Sequence, residues 1–289
     1  MFTKEQINVP EDFPAPDVCI ENLKNNLCRL INIGIQTLNI KSLTCVNIRP
    51  TSPSWQNAGF AEFELKNGRI EKSHVDLSYR VFTNIYTSNN QLNQQCYKSA
   101  IATVWHELYH IQDGELQDTY MIVPTDDSCL KRHYYRVGIQ YWGEFYANYK
   151  TFIYYEDPKK YDSLLKAYQH IKAQSLVAHG DVPREYFDDF TYWVSVVLGY
   201  MAHTDHSPVA DTILTQIKTQ EYILRAKELF EDILLTYPEG LDYLKLGELG
   251  KYLMRIEQHF GLQRCFKDNQ IHTEYMTNPI LSITSLDDN

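Results

Sequence analysis

Val104-Trp105-His106-Glu107-Leu108-Tyr109-His110-Ile111 decides how the rest of the chain is read. It holds His-Glu-x-x-His, with uncharged residues between and around the two histidines, inside a segment that reads as helix from 94 to 113. Residues four apart on a helix share a face, so His106 and His110 can aim their imidazoles at one cation. Glu107 stands beside the first imidazole, where it reaches water rather than metal. The pattern is that of a zinc hydrolase, with two ligands and a general base. The plainer alternative is a buried helix whose histidines hydrogen-bond in the core, and each buried polar group would then need its own partner.

A zinc site of this kind needs a third protein ligand and keeps one position for water. The long-spaced histidine pattern of the metzincins would require Gly at 113 and His at 116. Asp113 and Leu116 stand there, which excludes that class. Asp113 lies one turn past His110 and suits a hydrogen-bonding role behind a ligand. Glu115 and Asp118, then Asp126, Asp127 and His133, are further donors nearby. Glu144 is the best candidate, in Trp142-Gly143-Glu144-Phe145-Tyr146-Ala147-Asn148. Its segment, 134–156, is helical and rich in aromatic residues, and a packed helix positions a ligand better than a loop does. Asn148 falls on the same face, where it can accept from the free ring nitrogen of a ligand histidine and fix its tautomer. Ala147 is small enough for two helices to approach closely. The alternative for Glu144 is a solvent-facing acid on an amphipathic helix.

His-Glu-Leu-Tyr-His at 106–110, with Glu-Phe-Tyr-Ala-Asn at 144–148, resembles the gluzincin metallopeptidases. Within them it is most similar to the ImmA/IrrE type of intracellular zincin, which carries His-Glu-x-x-His on one helix and Glu-x-x-Ala-Asn on the next. The resemblance covers residues 40 to 155. It implies His106, His110 and Glu144 as ligands of one Zn2+ per chain, and Glu107 as the catalytic acid/base. It also implies a zincin-like core and a peptide or protein substrate. Three departures stand out: Lys98-Ser99-Ala100-Ile101-Ala102-Thr103 before the motif lacks an Arg-Phe-Thr type of run, the gap to Glu144 is rather long, and Tyr154-Tyr155-Glu156-Asp157-Pro158 replaces a Leu-Leu-Met-Pro-like ending.

Upstream of the motif, 42–49 alternates as a strand, and 60–65 and 70–81 flank Lys66-Asn67-Gly68-Arg69. Asn-Gly between two such runs signals a hairpin, because the tight turn needs positive φ at both central residues. The strand around 74–79 is placed to pair with an extended substrate; alternatively, the hairpin only covers the helix. Ile20, Leu23, Leu27, Leu30 and Ile31 space a helix over 18–38, and the first 17 residues, with three prolines, read as an extended arm. Downstream, Gly114 suits a helix stop, and 114–132 reads as a long loop with Pro124. Helices follow at 159–177, 184–203, 208–236 and 240–260. Ser207-Pro208 serves as a helix start and Gly261 as a stop. The fold class expected is α+β, mainly α. It comprises a small antiparallel sheet, the motif helix and the third-ligand helix, with an all-helical C-terminal part. The domains are 1–156 (core), 157–265 (helical subdomain) and 266–289 (loosely ordered tail).

The chain has 289 residues, 44% hydrophobic and 22% charged, with a net charge of −10, as in an ordinary soluble globular protein. No long basic block supplies the positive face that phosphates need, so nucleic-acid binding is not expected. Six cysteines at 19, 28, 45, 96, 129 and 265 form no Cys-x-x-Cys, so they read as reduced thiols rather than a zinc ribbon. The most apolar window, 190–201, is too short to span a bilayer, and Met1 to Gln6 shows no leader pattern. No membrane association and a cytoplasmic location are therefore expected. The oligomeric state is not legible. The chemistry expected is hydrolysis of a peptide bond, with Glu107 moving the proton and a donor stabilising the oxyanion. His179, His203, His206, Tyr109 and Tyr200 are candidates for that donor, although the group 203–206 also reads as a plain polar loop. Two other classes stay open: a catalytically silent binding or regulatory protein on the same scaffold, and a helical interaction protein with a chance motif.

Overall fold

The computed structural model describes residues 1–13, 17–50, 58–83, 85, 93–120, 129–152, 155, 157–177, 184–203, 212, 214–217, 220–259, 262–267 and 270–275. They form an α+β fold that is mainly helical, in two units. One unit comprises Met1–Thr119 with Lys150–Glu156, the other Tyr120–Tyr149 with Asp157–Asn289.

In the first unit, Asn67 and Gly68 turn the chain with φ of 55° and 76°. They join strands β3 (Gly59–Lys66) and β4 (Arg69–Ser78) as an antiparallel hairpin. Strand β2 (Leu43–Arg49) pairs with the other side of β4, in parallel, and β1 (Ile7–Asn8) pairs in parallel with β2. The order is β1-β2-β4-β3. The sheet is therefore mixed, not antiparallel as expected. A hairpin fixes only its own two strands; here the chain leaves β2, passes to the outside as β3, and folds β4 back into the gap.

The expected extended arm is instead docked. A 3-10 turn at Lys4–Gln6 leads into β1, where Ile7 lies opposite Val46. Ile7 and Phe2 are both buried, and removing that apolar surface from water holds the arm down. Helix α1 (Asp17–Leu38) provides the crossover that parallel β1 and β2 require. It ends with Asn39 at φ 55° and the Ile40 N–H donating to Ile35 O at 3.1 Å, a Schellman closure. Val46, Ile48, Val75 and Leu77 alternate on the buried face of the sheet. The opposite face carries a polar ladder. Asn8 donates to Asn47 at 2.7 Å, Asn47 to Asp76 at 2.7 Å, and Arg49 pairs with Asp76 at 2.6 Å.

After the short helix α2 (Arg80–Thr83), helix α3 (Gln94–Tyr120) carries the motif. Asn93 caps it, its Oδ1 accepting from the Cys96 N–H at 3.2 Å. Helix α3 runs through Gly114 instead of stopping there. A Cβ at Gly114 would sit 2.6 Å from the Phe63 ring, so the glycine makes room for β3 within a helix that continues. One residue on, the Glu115 carboxylate accepts from the backbone N–H groups of Lys41 and Ser42, tying α3 to the start of β2. Glu115 and Asp118 thus lie within the helix, not in the loop expected from 114 onward.

The second unit holds most of helix α4 (Cys129–Thr151), then α5 (Pro158–Val177), α6 (Arg184–His203), α7 (Gln220–Thr236) and α8 (Tyr243–His259). Helix α4 starts and ends about one turn earlier than its expected span of 134–156. Asp157 caps α5 through the Lys159 N–H at 3.0 Å, with Pro158 in the first helical position. Val194, Val196, Val197 and Leu198 are fully buried in α6, which makes the apolar window a core helix. No helix among the described residues is long and apolar enough to cross a membrane. The expected start at Ser207-Pro208 and the stop at Gly261 lie outside the described residues, as do Pro124, Asp126 and Asp127. The all-helical expectation fails at the end of the chain. Strands β5 (Leu262–Lys267) and β6 (Gln270–Tyr275) pair antiparallel where the loosely ordered tail was expected to begin. Ile271, Thr273 and Tyr275 alternate there, a period-two pattern of strand-forming residues.

Candidate metal centre

Helix α3 presents His106 and His110 one turn apart, both half-buried. Each offers its Nε2, and the two nitrogens lie 3.0 Å apart with the rings at 83° to one another. The helix is held in place from its other sides. Val104, Leu108 and Ile111 are buried, and a Cβ at Gly34 of α1 would lie 2.4 Å from Leu108 Cδ1. The pair of imidazoles is thus carried on a ligand helix whose remaining faces are packed.

Glu144 on α4 completes a group with them: one ligand atom from each of His106, His110 and Glu144 lies within 4.8 Å of the others. Among the described residues this is the one such group of three. Two imidazole nitrogens and a carboxylate oxygen are the donor types zinc takes in hydrolytic sites. Two tetrahedral ligands at zinc-bond length stand about 3.3 Å apart, close to the spacing of the two Nε2 atoms. The donor set therefore fits Zn2+, to which it would offer three ligands.

Helix α4 is fixed within its own unit by an aromatic cluster. Trp142 and Phe145 are fully buried, and Phe145 stacks on Phe230 of α7 with centroids 4.4 Å apart. Ala147 is also fully buried. Asn148 is buried, and its side-chain amide donates to the Glu144 backbone carbonyl at 2.7 Å, one turn back along the helix. Asp113 is buried outside the ligand group, and its carboxylate accepts from Gln117 at 2.7 Å.

Glu107 is only 4% exposed. Strand β3 reaches it directly: a Cβ at Gly59 would lie 2.4 Å from Glu107 Oε1. No sequence signal marked Gly59, because a glycine just before a strand reads as loop. Among the candidate oxyanion donors, Tyr109 is buried against Trp105, and Tyr200 is buried with its ring 6.0 Å from that of Tyr161. His203 is the last residue of α6, whereas His179 and His206 lie outside the described residues. His133 lies in the first turns of α4, half-buried.

Compared with family models, with curated proteins and with solved structures, the chain matches none.

Proposed function

We propose that the protein is a zinc-dependent metallopeptidase of gluzincin type. The grouping of His106, His110 and Glu144 carries this reading. The three would hold the ion, which when bound supplies Lewis acidity for attack of water on a carbonyl. Glu107, buried beside the first histidine, accepts the proton from the attacking water and returns it to the leaving amine. Its low exposure keeps bulk water from competing for that proton.

Among the described residues the four-stranded sheet has two edges, the two-residue β1 and the eight-residue β3. Strand β4 lies between β2 and β3, so it is not the substrate strand expected from the sequence. Of the two edge strands, β3 is the one that begins beside Glu107. Its backbone supplies main-chain hydrogen bonds to an extended chain in the manner of strand addition.

The test combines metal analysis with turnover of a quenched peptide library. About one zinc per chain is expected, with cleavage by the wild type and none by Glu107→Gln, which keeps the shape but cannot take a proton. A chain purified under zinc-replete conditions that holds no zinc refutes the proposal. The 3.0 Å spacing of the two Nε2 atoms also suits a direct N–H···N hydrogen bond, which favours a second reading as a helical interaction protein with a chance motif. Absence of zinc selects that reading, and zinc bound without turnover selects a catalytically silent scaffold.

A further inference from the structure

Gly59 opens β3, and nothing about its backbone demands glycine; Gly68 is the one glycine with positive φ among the described residues. What glycine provides at 59 is space. A Cβ there would lie 2.4 Å from Oε1 and 2.7 Å from both Cδ and Cγ of Glu107. Seven residues along α3, Gly114 makes the matching concession to Phe63. The two close approaches, four residues apart on β3 and seven apart on α3, lay the strand along the helix in the same sense. That separation is about 13 Å of strand and about 10 Å of helix.

The register shows which way Gly59 faces. Ser78 N–H donates to Ala58 O at 2.9 Å, and Gly59 lies opposite Leu77. Bonded and non-bonded pairs alternate in an antiparallel ladder. Gly59 therefore belongs to a non-bonded pair, and its N–H and C=O point away from β4, toward the outer edge.

We propose that Gly59 is a positioning residue for Glu107. By lacking a side chain it sets where the carboxylate rests and brings the outer edge of β3 beside it. The carboxylate is the mobile partner and the strand backbone the fixed one, so a larger residue at 59 displaces the acid before the sheet. The catalytic consequence rests on Glu107 as the proton carrier; the steric coupling does not depend on metal.

The experiment uses the full chain with Gly59→Ala, made alone and combined with Glu107→Ala or Glu107→Asp. Three readouts are taken: melting temperature of the metal-free protein, zinc stoichiometry, and kcat and KM on a cleaved peptide. Gly59→Ala is expected to keep its zinc and its KM while kcat falls about a hundredfold, as a misplacement of about 1 Å can cause. It lowers the melting temperature when Glu107 is present and not when Glu107→Ala has vacated the space. In the Glu107→Asp background, whose acid is one methylene shorter, Gly59→Ala causes no further loss of kcat. Equal melting penalties in both backgrounds overturn the proposal, as does an unchanged kcat in a chain whose wild type cleaves. If Gly59→Ala does not fold alone, recovery of folding with Glu107→Ala supports the coupling and its absence overturns it. A wild type that neither binds zinc nor cleaves retires the peptidase reading, and the melting comparison still decides the coupling.

Discussion

At the scale of single residues, the site is a contest between protons and metal for the same nitrogens. His106 and His110 point Nε2 at Nε2, so the gap takes either a hydrogen or a cation. In the proposed zinc site Glu144 would shift that balance toward the cation, because a carboxylate adds charge as well as a donor. Glu144→Gln is therefore expected to weaken zinc binding by well over the ~10–100-fold that follows loss of an outer hydrogen-bond partner. Chelator competition measures this, and an unchanged affinity would remove Glu144 from the ligand set. Lys150, farther along α4, poses a different problem. Burial pulls its ammonium below its ordinary 10.5. At neutral pH both folded and unfolded chains hold the proton, and the fold bears the desolvation cost in full. As pH climbs toward 10.5 the folded chain releases the proton first, so stability rises with pH. Lys150→Met is expected to resist denaturant better than wild type at neutral pH, with the difference shrinking as the pH approaches 10.5. The pairing of His106 with His110 was legible because helical spacing alone puts the two imidazoles on one face. Gly59 was not, since its role depends on a side chain 48 residues away.

At the scale of elements, glycines decide how closely helices approach. Gly138 of α4 and Gly250 of α8 meet backbone to backbone: added Cβ atoms would lie 1.9 Å from Leu246 O and 1.8 Å from Tyr134 O. Gly199 of α6 also approaches α4 closely, where an added Cβ would lie 2.5 Å from Phe145 O. Gly247, three residues before Gly250 on α8, meets nothing within 4 Å. The two neighbours should respond in opposite directions. Gly250→Ala is expected to cost about 1–3 kcal/mol through overpacking, whereas Gly247→Ala stabilises by up to about 1 kcal/mol through helix propensity. Urea melts of the two variants check the sign. The same ambiguity explains the misjudged end of α3. Gly114 has the composition of a stop, and only the arrival of Phe63 shows that it is a clearance. Helix α1 and strand β2 were readable from their own periods, and the β3–β4 hairpin from Asn67-Gly68. Two-residue β1 has no period to read, and the insertion of β4 between β2 and β3 is a long-range choice that no local pattern encodes.

At the scale of the whole molecule, metal and stability should be linked. A ligand that binds only the folded chain raises its stability with concentration. Chelation is therefore expected to lower the melting temperature, with recovery on adding zinc, in wild type but not in His106→Ala. A melting temperature indifferent to chelator in a zinc-loaded chain would contradict the site. The outer strand also has a consequence for how copies of the chain treat one another. Strand β3 exposes Phe60 and Leu65 along an edge that no strand pairs among the described residues, interleaved with Glu62, Glu64 and Lys66. An open edge is a template for any strand, including its own copy, and charge is what natural edges use to refuse it. At neutral pH the net charge of −10 keeps copies apart. Near the isoelectric point of about 5.5 that repulsion is gone. Strand-to-strand clustering should then set in, visible by light scattering and suppressed by Phe60→Lys, so the protein's colloidal behaviour is governed by the same edge that a substrate would occupy.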